Sequence, residues 1–219
     1  GALAAHAVSR GVAMARDLAN LPPVVATPAY MAETARKLAE TTRLRVHVGD
    51  RAWAEGRGMG AFLAVAKGSA LEPAFLELGH NEARTDLPLV VLVGKGVTFD
   101  SGGLSLKTRD GMIPMKADMA GAAAVIGTML AVAELDLPVR VVGLCPCVEN
   151  MPDGAAFRPW DVLVASNGVS IEVLSTDAEG RLALADALAY AAGMSPAAVI
   201  DIATLTGASV TALGAGVAS

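Results

Sequence analysis

Residues 92–119 read LVGKGVTFDSGGLSLKTRDGMIPMKADM, and this stretch decides the fold. An apolar run, Leu87 to Val93, leads into it, and a helical pattern of small residues leaves it. Between them lie Lys95, Asp100, Lys107 and Asp118, interspersed with glycines at 94, 96, 102, 103 and 111. A strand that is apolar along its whole length is expected to be buried on both faces, as in a central parallel strand. In such sheets, sites form in the polar loops beyond the carboxyl ends of the strands. Ser175 to Arg181, STDAEGR, has the same polar character. The two loops are expected to converge on one pair of metal ions.

On either side, helical and strand patterns alternate. Apolar positions at helical spacing (Val8, Val12, Met14 or Ala15, Leu18) predict a helix over 2–20, ended by Asn20 and Pro22-Pro23. Thr27 as N-cap and Pro28 at the first helical position predict a second helix to about Glu40. Strands are expected at 44–48, 62–66, 74–79, 87–93, 138–147 and 198–202, with a short helix at 50–58. Longer helices are expected at 118–135 and 181–192. A hairpin is expected from 162–165 and 171–174 around Asn167-Gly168. This alternation predicts an α/β fold: a three-layer α/β/α domain with a mostly parallel central sheet covered by helices on both faces. No repeat or linker divides the 219 residues, so one domain is expected. The chain starts inside a helical pattern and stops inside an uncharged run, and so reads as a piece of a longer protein.

Composition narrows the function. The chain is 53% apolar and 18% charged, which excludes a disordered class. Net charge is −5 with scattered Lys and Arg, which gives no basis for a nucleic-acid partner. Cys145 and Cys147, as C-P-C in an apolar stretch, read as two buried strand thiols. With no disulfide framework, a cytoplasmic location is the default. The uncharged runs 119–133 and 202–219 read as buried helix or loop, not as membrane spans.

Glycine-rich loops raise a phosphate reading, but Gly94-Lys95-Gly96 lacks the Ser or Thr of a P-loop, and Phe99 stands where a dinucleotide fingerprint needs its third glycine. Asp100-Ser101-Gly102-Gly103 suggests a nucleophilic serine, yet His6, His47 and His80 all lie away from the glycine-rich loops, leaving that serine without a base. The carboxylates Asp100, Asp118, Asp177 and Glu179 remain. Singly, Asp118 could cap its helix and Thr176-x-x-Glu179 could form a capping box. Caps do not account for the lysines and glycines gathered in the same loops. Two divalent cations roughly 3.5–4 Å apart would, since such a pair needs several anionic, partly bridging oxygens. An extended 177–181 would project Asp177, Glu179 and Arg181 to one side.

VGKGVTFDSGG, MKADMAGAAAV, ENMPDGAAFRPWDV and STDAEGRL together resemble the leucyl aminopeptidase (cytosol aminopeptidase, peptidase M17) family, with LANLPP and DIATLTGA extending the likeness over essentially the whole chain. The resemblance implies a dinuclear metallo-aminopeptidase catalytic domain. It would release N-terminal residues, with leucine and other apolar residues preferred, by way of a metal-bridged water. Lys95, Asp100, Asp118 and Glu179 would hold one ion, and Asp100, Asp177 and Glu179 the other. Lys107 and Arg181 would be the catalytic pair, Arg181 holding a bicarbonate. Met115, Thr204 and Gly207 would line the substrate pocket, with the Leu205 carbonyl near the substrate amine. The ions would be Mn²⁺ or Zn²⁺, the partners peptides with a free N-terminus, and the assembly a homo-oligomer, a hexamer by resemblance. Departures are Ser175 for the family's Asn, Trp160 for a common Gly and Val24 for a common Asn, none of them a ligand position. The resemblance also implies a separate N-terminal domain and further residues after Thr204-Leu205-Thr206-Gly207. The alternative function is a catalytically silent fragment serving as an assembly or binding module.

Overall fold

An eleven-residue strand, β5 (Arg140–Asn150), is the spine of the molecule. The computed structural model describes residues 1–214 and 216. Ahead of β5 come α1 (Ala2–Asn20), α2 (Pro28–Thr41), β1 (Arg45–Gly49), α3 (Arg51–Glu55), α4 (Gly60–Ala66), β2 (Ala74–His80), β3 (Leu89–Gly94), β4 (Gly96–Asp100) and α5 (Arg109–Met112). A 3-10 turn, Ile113–Ala117, leads to α6 (Ala120–Glu134) and then to β5 (Arg140–Asn150). The chain continues through β6 (Val162–Val164), β7 (Ser170–Glu172), α7 (Glu179–Gly193), β8 (Ala198–Ile202) and α8 (Ala208–Leu213).

The main sheet has the order β1-β2-β5-β3-β8, and β4 also pairs with β5. β3 and β4 lie end to end along β5, Leu89–Val93 opposite Arg140–Leu144 and Gly96–Asp100 opposite Cys147–Asn150, both parallel to it. β8 is parallel to β3, while β1 and β2 run antiparallel. The sheet is therefore mixed, with its parallel part carrying the loops of interest. α3, α4 and α7 cover one face around Phe62, Phe75, Leu144 and Leu184, and α1, α2 and α6 the other around Met31, Leu76, Ile126 and Met129. Three layers result, as the alternation of elements predicts.

The local chemistry explains most elements. Thr27 Oγ1 accepts from Tyr30 N at 3.2 Å, starting α2 at Pro28. The small residues of α6 admit α1: a Cβ on Gly11 would lie 2.4 Å from the Gly127 carbonyl oxygen. Cys145 and Cys147 are buried, unbridged thiols on β5. The run Arg109–Glu134 is long and apolar enough to cross a membrane, and 67% of its most apolar part is buried inside the protein.

Four readings need correction. Residues 62–66 are not a strand but lie within α4, whose continuous apolar run satisfies either geometry and is fixed as helix by packing against α7. Gly96–Asp100 is a strand, not part of the polar loop. Residues 177–181 are not extended, because α7 begins at Glu179. Finally, residues 202–214 and 216 are not buried, and α8 contains no buried residue; 215 and 217–219 lie outside the described residues.

Candidate metal centre

Lys95 marks the break between β3 and β4. Its N–H donates to the Ile202 carbonyl at the end of β8, and its carbonyl accepts from Ala122 N in the first turn of α6. The side chain is thereby fixed where β3, β8 and α6 meet. Asp100 ends β4, Lys107 follows in the next loop, Met115 lies in the 3-10 turn, and Asp118 precedes α6. Asp177 precedes α7, whose first turn holds Glu179 and Arg181, and Thr204, Leu205 and Gly207 follow β8. All of these residues line one cavity of about 540 Å³, at the carboxyl ends of the parallel strands. The convergence of Asp177, Glu179 and Arg181 thus comes from a loop followed by a helix turn, not from strand alternation.

The charges interlock. Lys95 Nζ lies 2.8 Å from Asp118 Oδ2 and 2.9 Å from Glu179 Oε1, and donates to the Thr204 carbonyl at 3.0 Å. Lys107 Nζ lies 2.9 Å from Asp100 Oδ2 and 2.5 Å from Asp177 Oδ1. Thr204 Oγ1 donates to Asp118 Oδ1 at 2.7 Å. Gly180 makes room for Lys95, since a Cβ there would lie 2.4 Å from its Cε.

Burial pushes the Glu179 carboxyl up to about 7 against the pull of Lys95, with Asp100 and Asp118 adding to the rise. Burial likewise raises Asp118, opposed by Lys95 and Thr204. Burial disfavours the Lys95 ammonium, but Glu179 and Asp118 outweigh it and hold the amine protonated beyond its ordinary range. Lys107 behaves alike, with Asp100 and Asp177 outweighing burial. A ligand role for Lys95 therefore requires incoming positive charge to displace its proton, because burial alone does not.

The donor set fits divalent ions. Asp100, Asp177 and Glu179 each offer an oxygen within 4.8 Å of the others. Glu179 Oε2 is buried with no hydrogen-bond partner among the described residues. Asp118 Oδ2 lies 2.8 Å from Lys95 Nζ and has no other partner among the described residues. Buried carboxylate oxygens without donors are costly unless a cation satisfies them. The helix-cap readings do not hold: the start of α6 has no side-chain cap, and Thr176 Oγ1 donates to the Gly102 carbonyl at 2.6 Å and accepts from Ser105 N at 2.7 Å.

Two buried polar residues escape the sequence reading. Asn150 donates to Asp100 at the end of β4 and to the Thr176 carbonyl just before Asp177. Asp186, fully buried, accepts from Phe62 N at 2.8 Å and Ser166 N at 2.7 Å. The ENMP motif marks the first only as part of a family pattern, and nothing local marks the second.

Residues 13–219 match the model of the cytosol aminopeptidase family, catalytic domain. The chain is 54% identical over 208 residues to a probable cytosol aminopeptidase of Methylobacillus flagellatus, covering 95% of this chain and 42% of that protein. It is 52% identical over 215 residues to the cytosol aminopeptidase of Pseudomonas aeruginosa, covering 98% and 43%. The chain therefore spans less than half the length of these curated relatives. Among solved structures, the bottromycin maturation enzyme BotP in complex with Mn superposes with a TM-score of 0.89 at 45% identity, covering 95% of this chain and 46% of that one.

Proposed function

The chain belongs to the cytosol aminopeptidase family, and from that premise we propose that residues 1–219 are a catalytic unit of a dinuclear metallo-aminopeptidase. Peptides with a free N-terminus are its substrates, with leucine and other apolar first residues preferred. The observation that carries the reading is the meeting of four carboxylates and two lysines in one cavity, with a buried Glu179 oxygen left for a cation.

In this reading Lys95, Asp100, Asp118 and Glu179 would hold one ion, and Asp100, Asp177 and Glu179 the other. When bound there, Mn²⁺ or Zn²⁺ would supply Lewis acidity for activating a water and polarising the scissile carbonyl. Lys107, 15% exposed and held as a cation by Asp100 and Asp177, donates to the oxygen on which negative charge develops. Arg181, exposed at the rim of the cavity, offers a planar fork suited to a bicarbonate. Met115, Thr204, Leu205 and Gly207 form the wall against which an apolar first side chain packs, with the Leu205 carbonyl receiving the substrate amine. A cytoplasmic location agrees with relatives named as cytosol aminopeptidases, and a hexameric homo-oligomer follows from the family resemblance.

The test is hydrolysis of leucine p-nitroanilide by the intact protein with Mn²⁺ or Zn²⁺. Unchanged activity in Asp177→Ala or Glu179→Ala would show the assigned site to be wrong. The competing reading, a silent assembly module, draws on the exposed apolar residues Val199, Ile200, Val210 and Leu213 of β8 and α8. Folded protein without metal uptake in a calorimetric titration would favour it, and two bound ions with chelator-sensitive turnover would exclude it.

A further inference from the structure

Asn150, the last residue of β5, is 1% exposed, and the reaction proposed above gives it no task. Its amide sits between the end of β4, which carries Asp100, and the segment before α7, which carries Asp177. Nδ2 donates to Asp100 Oδ1 at 2.8 Å and to the Thr176 carbonyl at 3.0 Å. Both partners accept only, so a flipped amide would set its oxygen against a carboxylate and a carbonyl; the N–H₂ orientation is the one chemistry permits. Asp100 Oδ1 takes a second bond from Gly102 N at 2.9 Å, which leaves Oδ2 to face Lys107. The Asn150 backbone grips the residue after Asp100 as well, its carbonyl accepting from Ser101 N at 3.0 Å and Ser101 Oγ at 2.8 Å.

The other end of the amide is unmatched. Asn150 Oδ1 has no hydrogen-bond partner among the described residues. A Cβ at Gly103, whose φ is +63°, would stand 2.9 Å from it. An aliphatic side chain would end the strand without the burden of a buried, unpaired acceptor, so the position is accounted for by its two donors. Those donors act on one carboxylate oxygen of Asp100 and on the backbone one residue before Asp177.

We infer that Asn150 is a positioning residue. It clamps Asp100, at the end of β4, to the segment that carries Asp177 into α7, and so sets the rotation of Asp100 and its distance from Asp177. The inference rests on the dinuclear reading, and its largest effect falls on the ion held by Asp100, Asp177 and Glu179.

The test titrates Mn²⁺ alone into the intact protein by calorimetry, using Asn150→Ala and the isosteric Asn150→Asp. Thr98→Val serves as control: Thr98 is buried in the same sheet, and its hydroxyl donates to the Val148 carbonyl, away from the loops. The unaltered protein binds two ions. In Asn150→Ala one of them weakens about 10–100-fold, the usual effect of losing a group that orients a metal ligand, and the other changes much less. Asn150→Asp, with an acceptor in place of the donor, loses at least as much and carries the reading if the alanine variant does not fold. Metal-free unfolding is recorded alongside, and Thr98→Val keeps both affinities even where its stability falls. Unaltered affinities in the Asn150 variants, or an equal loss in the control, overturn the positioning role and leave the dinuclear centre standing. No Mn²⁺ uptake by the unaltered protein overturns the centre and the clamp together.

Discussion

Helix α7 carries two buried acids, Glu179 in its first turn and Asp186 two turns later, and their surroundings are opposite. Asp186 is fully buried, and each of its oxygens accepts a backbone N–H, from Phe62 in α4 and from Ser166 after β6. Glu179, 1% exposed, shares Lys95 with Asp118, keeps Oε2 unpartnered among the described residues, and is raised by burial to about 7. One acid is spent on holding α4 and the β6–β7 hairpin to α7. The other is left unsatisfied at a cost of about 1–3 kcal/mol, the usual range for a buried polar group without its partner. A metal-binding reading turns that cost into affinity, since the incoming ions supply the missing partner. Burial and residue type do not separate the two roles; the satisfaction of individual oxygen atoms does.

The contrast breaks most readily at activity. Glu179→Ala or Asp177→Ala should lower kcat/KM for leucine p-nitroanilide by about 10³-fold or more, several kcal/mol of transition-state stabilisation, while the chain stays folded by circular dichroism. Equal losses from Asp186→Asn in a protein of unchanged stability would erase the distinction. At the next level, Asp186→Ala strands two buried N–H groups and opens a cavity. Denaturant unfolding should show a loss of roughly 2–5 kcal/mol, with Mn²⁺ affinity of the folded fraction unchanged.

A smaller effect has the opposite sign. The carboxyl of Glu179 titrates higher folded than unfolded, so its contribution to stability is present below the ordinary carboxylate range and is lost as pH rises through about 7. Glu179→Gln cannot ionise. In the absence of metal it should therefore melt higher than the unaltered protein at pH 8 and show no gain at pH 4, about 1 kcal/mol appearing as roughly 2–4 °C. A melting curve displaced equally at both values would show that ionisation is not the source of the strain. The smallest effect concerns Cys145 and Cys147, buried thiols of β5 that burial pushes far above their ordinary range. A thiol reagent should leave both unmodified in the native protein and activity unchanged, whereas rapid labelling would show that β5 opens locally.

Much of this protein was legible along the chain because its chemistry is local. The apolar run 87–93 predicts a buried strand and Leu89–Gly94 forms it, Thr27-Pro28 starts a helix as read, and the acids 100, 118, 177 and 179 stand beside glycines and lysines in polar stretches after apolar runs. What long-range packing decided was not legible. Gly60–Ala66 carries an apolar run with no period to separate strand from helix, and it became α4 against α7. Residues 177–181 suit an extended segment or a helix start, and the helix prevailed. Nothing along the chain shows that Lys95, without metal, is held protonated between Asp118 and Glu179, so that a ligand role needs an incoming ion to displace the proton. Asn150 meets Asp100 fifty residues away, and Asp186 meets Phe62 across 124. The sequence determined which residue types could form the site and which strands would carry it. Tertiary structure alone decided which buried oxygens found a donor and which did not, because hydrogen bonds and charge pairing act over a few ångströms of space whatever the distance along the chain.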